Sequence, residues 1–388
     1  MRVNNRIRDI AASTTLAITA RAKELKAHGH DIVNFAAGEP DFDTPDYIKQ
    51  AAVKALEDGF TKYTPSIGTL DLRAAIARKF KKDNNLDYKP SQIAVSCGAK
   101  HSLFNVIHVL ADTGDEVIIP APYWVSYPQM VKLAGADSCI VKTLPQNNFK
   151  MTIEQLLKSI SLKSRILILC SPSNPTGVVY NTEELRKIAE VCVQHKIYVI
   201  SDEIYEKLVY DTAQYTSIAS FGKDIHDLTV TVNGVSKAYA MTGWRIGYCA
   251  GPQEIIDYVN KFQDHSTSNP CSISQMAALK ALESCEETIS AMRQEFKIRR
   301  DLMISLLDKI PQLKYIRPEG AFYVLCDFSK LGDSQLTAKR ILDDIKVAVI
   351  PADDFGCPGY IRLSFATSRE KITEGINRIG QWVSAQGR

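Results

Sequence analysis

The sequence predicts an α/β protein with a mostly parallel central sheet flanked by helices and a smaller α+β domain. Two observations carry that expectation. Periodic helical stretches alternate with short apolar runs ending in Gly, Pro or Ser, the sequence form of repeated βαβ units. From about residue 290 the texture changes to one long amphipathic stretch followed by closely spaced strands. The 388 residues, 45% hydrophobic and 23% charged with 20 Gly and 16 Pro, sit on the globular average. Collagen-like, low-complexity and wholly disordered chains are thereby excluded, and a large core is within reach.

Taken in order, Leu103, Val106, Ile107 and Leu110 recur at helical spacing after Gly98, Ala99 and Lys100, so these three open a helix. EVIIP (116–120) reads as a buried strand followed by the aromatic loop APYWVSYP. A strand at RILILC (165–170) leads into SPSNPTG, a helix spans roughly 182–195, and a strand at IYVIS (197–201) runs into DEIY. Strands at LTVTVNG (228–234) and RIGYCAG (245–251) bracket VSKAYAMTGW. Each strand ends in polar or aromatic residues, where open α/β sheets bind ligands. Met292, Phe296, Met303, Leu306, Leu307 and Ile310 mark one long helix, followed by the strands AFYVLCDF, VAVI and YIRLSFA and a last helix with Ile372, Ile376, Ile379 and Val383 on one face. The expected organisation is an N-terminal arm and part of the small domain at 1–45, a large domain at 46–285 and a C-terminal small domain at 286–388.

Lys+Arg 47 against Asp+Glu 44 leaves +3, too little for a global field toward nucleic acid or anionic membrane, so any anion site is local. The nine cysteines are never closer than 14 residues, which spells no zinc or redox pair and favours a reducing compartment. Apolar runs such as 166–170 fall far below the ~18 residues of a membrane span. The N-terminus carries Arg2, Arg6, Arg8 and Asp9 without an apolar signal core. Neither nucleic acid nor membrane is expected as a partner, and the cytoplasm is the expected location.

Within SKAYAMTGWRIG (236–247), Lys237 and Arg245 straddle a glycine between two strands. A lysine becomes a nucleophile toward aldehydes when burial or neighbouring cations lower its pKa. Alone it would read as a solvated lysine, but AAGEPDFDTP (36–45), KYTPSIG (62–68), PYWVSYP (122–128), SPSNPTG (171–177), SDEIY (201–205) and YIRLSFA (360–366) accompany it. Over essentially its whole length the chain resembles the fold-type I pyridoxal-phosphate enzymes, and within them the class I aminotransferases of the bacterial aspartate and prephenate branch. The motifs occur in the family order.

The resemblance implies roles for matching positions. Lys237 is the Schiff-base lysine for pyridoxal 5'-phosphate and the proton shuttle, and Asp202 the partner of the protonated ring nitrogen. Tyr205 and Asn174 donate to the phenolic oxygen, and Trp124 stacks on the ring. Gly98, Ala99 and Lys100 supply amides at a helix N-terminus for the phosphate, with Ser236 and Arg245 beside them. Gly234 departs from animal-type members, which place a phosphate-binding Ser there. Tyr63 reaches the phosphate of a neighbouring subunit, which implies a homodimer. Arg362 takes the substrate α-carboxylate through its planar fork, with Asn174 and the backbone of Gly38 nearby. The Lys100 side chain meets a distal carboxylate; a cation opposing the helix dipole calls for such a reason. Thr15 with Lys100 matches members that also accept prephenate.

The activity implied is ping-pong transamination between aspartate and 2-oxoglutarate, with prephenate or aromatic amino-acid transamination as the alternative. The substrates are amino and 2-oxo acids, dicarboxylic ones favoured. A β-eliminating lyase on the same fold has no use for a distal cation, and a cofactor-sensing regulator needs a DNA-binding module that the first 35 residues are too short to supply. No metal is expected.

Overall fold

The computed structural model describes residues 4–8, 10–11, 14–283 and 286–386; Arg2, Asp9 and Cys285, with the expected boundary at 285/286, lie outside the described residues. Seven strands make the large sheet: β1 (Ile93–Ser96), β2 (Glu116–Ala121), β3 (Asp137–Lys142), β4 (Ser164–Cys170), β5 (Tyr198–Asp202), β6 (Thr229–Gly234) and β7 (Gly247–Ala250). Their order is β1-β7-β6-β5-β4-β2-β3, parallel throughout except for β7, which runs against both β1 and β6. β4, β5 and β6 are buried along most of their length, as expected of strands covered by helices on both faces.

Register decides what meets at the carboxyl edge. Cys170 pairs with Asp202 and Asp202 with Val232, so the loops carrying Asn174, Tyr205 and Lys237 leave the sheet side by side. The sequence expectation of strands feeding one crevice holds for all three.

The helix α1 (Thr14–Ala27) packs through Ala22 and Leu25 against Ala348 and Ile350 of the C-terminal part, while α2 (Leu70–Asn84), α3 (Ala99–Leu110) and α4 (Thr182–His195) flank the large sheet. α4 starts where predicted because Asn181 and Glu184 satisfy each other's backbone N–H in a capping box. α3 starts directly at Gly98, whose φ of +94° suits only glycine.

Beyond α5 (Glu286–Leu307), a four-stranded antiparallel sheet is formed by β8 (Lys314–Ile316), β9 (Tyr323–Asp327), β10 (Ile350–Pro351) and β11 (Tyr360–Ser364), ordered β10-β11-β9-β8, and α6 (Arg369–Gln386) ends the described chain. One core joins Phe296 and Met303 of α5, Val324 of β9 and Ile372, Ile376 and Ile379 of α6, which confirms the helical face read from the sequence.

Three details depart from the sequence reading. The long helix ends at Leu307, and Ile310 is buried in the turn beyond it. VAVI is two short pieces: Val347–Ala348 pairs in parallel with Val33–Asn34, while Ile350–Pro351 pairs antiparallel with β11. A short run with every residue buried shows no periodicity by which to see the split. The last large-sheet strand starts at Gly247, because Arg245 has φ +56° and turns its side chain back toward Gly98.

A Cβ on Gly247 would lie 2.0 Å from the Ala99 amide nitrogen, so this glycine lets β7 pass against the start of α3. Gly247→Ala should therefore destabilise the fold by about 1–3 kcal/mol, read as a lower denaturation midpoint, and leave a distorted α3 N-terminus.

Candidate active site

A cavity of about 490 Å³ opens where the carboxyl edge of the large sheet faces β11, α1 and the segment around Gly38. Thr15, Gly38, Ala99, Lys100, Trp124, Asn174, Asp202, Tyr205, Ser236, Lys237, Arg245 and Arg362 all line it. Residues up to 347 positions apart, from Thr15 to Arg362, are brought together by the sheet order. Of the residues singled out from sequence, Gly98 stands just behind the wall and Tyr63 stays away, 93% exposed.

Lys237 Nζ donates to the Gly38 carbonyl at 2.7 Å. Burial pushes its pKa down to about 8; Glu39 opposes this, while Arg362 and Arg245 add to it. A large fraction of the amine is thus neutral in mildly alkaline solution. Glu39 is itself held by Thr242 Oγ1 (2.7 Å).

Asp202 ends β5 with 4% exposure. Its Oδ2 accepts from Tyr127 Oη (2.6 Å) and its Oδ1 from the Ile204 amide (3.3 Å). Burial raises its pKa although both donors hold it down. A buried carboxylate with only neutral donors favours a cation placed beside it.

Arg362 is 2% exposed on the inner strand β11, which is paired on both sides. Nη1 donates to Asn174 Oδ1 and Nη2 to the Ala36 carbonyl, each at 3.0 Å. Its guanidinium lies 4.3 Å from the Tyr323 ring centroid and 5.3 Å from that of Phe355, while Nε is buried without a partner. Desolvation lowers its pKa, offset by the Tyr323 and Tyr205 phenols. The fork is poised for an anion that no side chain among the described residues supplies.

Asn174 gives its oxygen to Arg362, so its NH₂ is the end left to donate elsewhere. Tyr205 and Tyr323 share a hydrogen bond between their hydroxyls at 2.9 Å. Burial holds both phenols above their usual pKa, keeping them protonated donors at neutral pH.

At the other end, the Ser102 and His101 amides already bond the Gly98 carbonyl, and the amides of Ala99 and Lys100 have no helical carbonyl to reach. Arg245 is tied to the Thr242 and Cys97 carbonyls (2.9 and 3.2 Å) and lies so close that a Cβ on Gly98 would sit 2.5 Å from its Nη2. Two free amides at a positive dipole end beside a fixed guanidinium form an anion cradle. Lys100 Nζ stands 4.9 Å from the Trp124 ring centroid, its pKa lowered first by burial and then by Arg245. Together the set offers an amine, a lone buried carboxylate, a phenol, a flat ring and two separate anion positions, complementary to a phosphorylated aromatic aldehyde and a carboxylate ligand.

Sequence reading missed Tyr127, Tyr323, Phe355 and Glu39. Tyr127 was visible in PYWVSYP three residues after Trp124, a helical spacing. Tyr323 lies in a strand whose residues are nearly all buried, so no alternation marked the face toward the cavity.

The sequence profile described as aminotransferase class I and II matches residues 30–379. The chain is similar to the aspartate aminotransferase of Bacillus subtilis (strain 168), 47% identical over 392 residues covering 99% of each protein. It is also similar to the probable aspartate/prephenate aminotransferase of Aquifex aeolicus (strain VF5), 45% identical with 97% of each covered. Among solved structures, the aspartate aminotransferase from Thermus thermophilus with maleate superposes with a TM-score of 0.95 at 42% identity, covering 98% of this chain and 100% of that one.

With an amine pKa near 8, reductive trapping of an aromatic aldehyde on Lys237 of the cofactor-free chain should rise about fivefold from pH 7 to 8 and at most about twofold above that. Peptide mass spectrometry of the modified lysine checks this; a rise continuing unabated toward pH 10 would show an ordinary exposed amine.

Proposed function

The chain belongs to the class I and II aminotransferases, and from that premise we propose that it transfers the amino group of aspartate to 2-oxoglutarate in a ping-pong cycle on pyridoxal 5'-phosphate. The observation that carries this reading is the convergence of Lys237, Asp202, Arg362 and Lys100 on one cavity.

The residues present fit the cofactor. Lys237 supplies the amine, and Asp202, buried with only neutral hydrogen-bond donors among the described residues, is matched to a protonated ring nitrogen. The cradle of Gly98, Ala99, Lys100, Ser236 and Arg245 suits the phosphate, Tyr205 and the Asn174 NH₂ the phenolic oxygen, and Trp124 the ring face. When bound, the cofactor supplies the electron sink that acidifies the substrate Cα–H.

The protein's own groups do the rest. Arg362 and Asn174 hold the α-carboxylate, consistent with the unpartnered Nε, and thereby aim the Cα–H at Lys237. Lys237 Nζ takes the Cα proton and returns it, a task for which a pKa of about 8 is well matched. Asp202, steadied by Tyr127, keeps the ring nitrogen protonated. Lys100 receives the distal carboxylate of the diacid. Tyr63, 93% exposed on this chain, is read as reaching the phosphate site of a second copy in a homodimer. The reading places the enzyme in the cytoplasm; no helix among the described residues is long and apolar enough to cross a membrane.

A second reading, acceptance of prephenate, is favoured by Thr15 and Lys100 lining the same cavity. Purified enzyme should form oxaloacetate and glutamate from aspartate and 2-oxoglutarate, and glutamate formation should disappear in Lys237→Ala. Replacing 2-oxoglutarate by prephenate in the same assay decides the second reading. Release of pyruvate and ammonia from cysteine-type substrates without amino transfer would contradict both.

Lys100→Ala should lower kcat/KM for aspartate by about 10²-fold while changing that for alanine less than about threefold. Equal losses on both would assign the side chain to the phosphate instead.

A further inference from the structure

Behind the loop that carries Asp202 and Tyr205 lies a buried acidic network with no part in the chemistry above. The residues leaving β5 divide between two directions: Asp202, Ile204 and Tyr205 line the cavity, whereas Glu203 and Glu206 turn away toward the end of α2. Glu203 is 1% exposed. Its Oε1 accepts from Ser201 Oγ (2.9 Å) and Ser217 Oγ (2.6 Å), and its Oε2 from Asn84 Nδ2 (3.2 Å). The same Asn84 amide donates to Glu206 Oε2 at 2.6 Å, and Asn84 Oδ1 accepts from Lys79 Nζ at 2.7 Å. Lys79 in turn pairs with Glu206 Oε1. The Glu203 amide donates to the Val232 carbonyl of β6 (2.9 Å), five residues before Lys237. The Glu203 side chain is therefore joined to β5, to α2 and to the segment at 217, while its backbone is joined to the strand leading to the lysine.

A carboxyl that shares a dry space with a second carboxylate resists ionisation. Burial and the charge on Glu206 push Glu203 up to about 7, while Ser217, Tyr215 and Ser201 hold it down. Also facing the network are Asp83 beyond Lys79, the Lys207 ammonium paired with Asp83, and the buried phenols of Tyr88, Tyr239 and Tyr248.

We infer that Glu203 is a positioning residue for Asp202 and Tyr205, anchoring their loop to α2 from the side opposite the cofactor, so that its protonation state is felt at the cofactor's ring nitrogen. The inference rests on the reading that Asp202 and Tyr205 face the cofactor, and goes beyond it to a residue that touches neither cofactor nor substrate.

The test is Glu203→Gln in the full-length holoenzyme, which keeps the shape and removes the titration. Wild type should show an inflection near pH 7 in its kcat profile and in the bound-cofactor spectrum. In the variant that inflection should vanish, with kcat down about tenfold, KM for aspartate within about twofold and cofactor Kd up about tenfold. A raised folded-state pKa stabilises the fold below the unfolded carboxyl value and is lost as pH rises through about 7. The cofactor-free wild type should accordingly lose melting temperature relative to the variant between about pH 4.5 and 7, the span of the two pKa values, and no further above it.

A lower melting temperature with unchanged cofactor affinity and pH profile would mark an ordinary structural contact and overturn the inference. Should Glu203→Gln not fold, Ser217→Ala keeps the carboxyl and removes its 2.6 Å donor, and must move the inflection to higher pH; an unmoved inflection overturns the inference too. Asp202→Ala separates the layers. If it abolishes turnover while Glu203→Gln is silent, only this inference falls, and if it leaves cofactor binding and turnover intact, the reading of the site falls with it.

Discussion

The guanidinium of Arg362, buried without a carboxylate, is the constraint around which the rest is arranged. An ion taken out of water needs compensation, and here it comes from two neutral oxygens and two aromatic faces. These partners belong to different parts of the chain: Ala36 near the N-terminus, Asn174 after β4, Tyr323 on β9 and Phe355 after β10. Holding the charge therefore holds the large sheet, the small sheet and the N-terminal segment in one relation. Because the compensation leaves Nε unpartnered, the same arrangement creates affinity for a carboxylate.

The field set up by this cation extends through the cavity. Arg362 and Arg245 both act against a proton on Lys237, after burial has made the larger contribution. The lowered pKa costs stability below about pH 8, and the cost shrinks as pH rises toward the value of a free lysine, because the unfolded chain binds more protons in that window. Function thus carries a stability cost at its central residue. Asp202 is its mirror image, a carboxylate whose pKa is raised by burial and which a bound cation would restore. A cavity whose amine is shifted toward its neutral form and whose buried carboxylate is held by neutral donors is prepared for a ligand that meets both groups.

How much was legible follows from where each signal lived. Strands β2, β4, β5 and β6 were visible as apolar runs closed by Gly, Pro or Ser, and the span of α4 was placed as well, although its capping box emerged only in the structure. β7 was placed within a residue or two, its start misjudged because a left-handed Arg245 has no sequence mark. Tyr323 stayed hidden because in a strand with both faces buried a tyrosine aimed at the cavity looks like one aimed at the core. Tyr127 and Glu39 belonged to noticed motifs, but their roles depend on partners far along the chain.

By itself the sequence determined the local chemistry: a lysine between two strands, an arginine on an apolar strand, a glycine that must open a helix, and a near-neutral balance that confines any anion site to a pocket. Motif order was enough to place these residues in one family resemblance. Only the tertiary structure decided which of them meet. Register sets Cys170, Asp202 and Val232 in line, and the sheet order returns Arg362 over that edge. Distances and burial, and with them every shifted proton affinity, arise from this long-range packing, because a charge responds to what surrounds it in space and not to its neighbours in the chain.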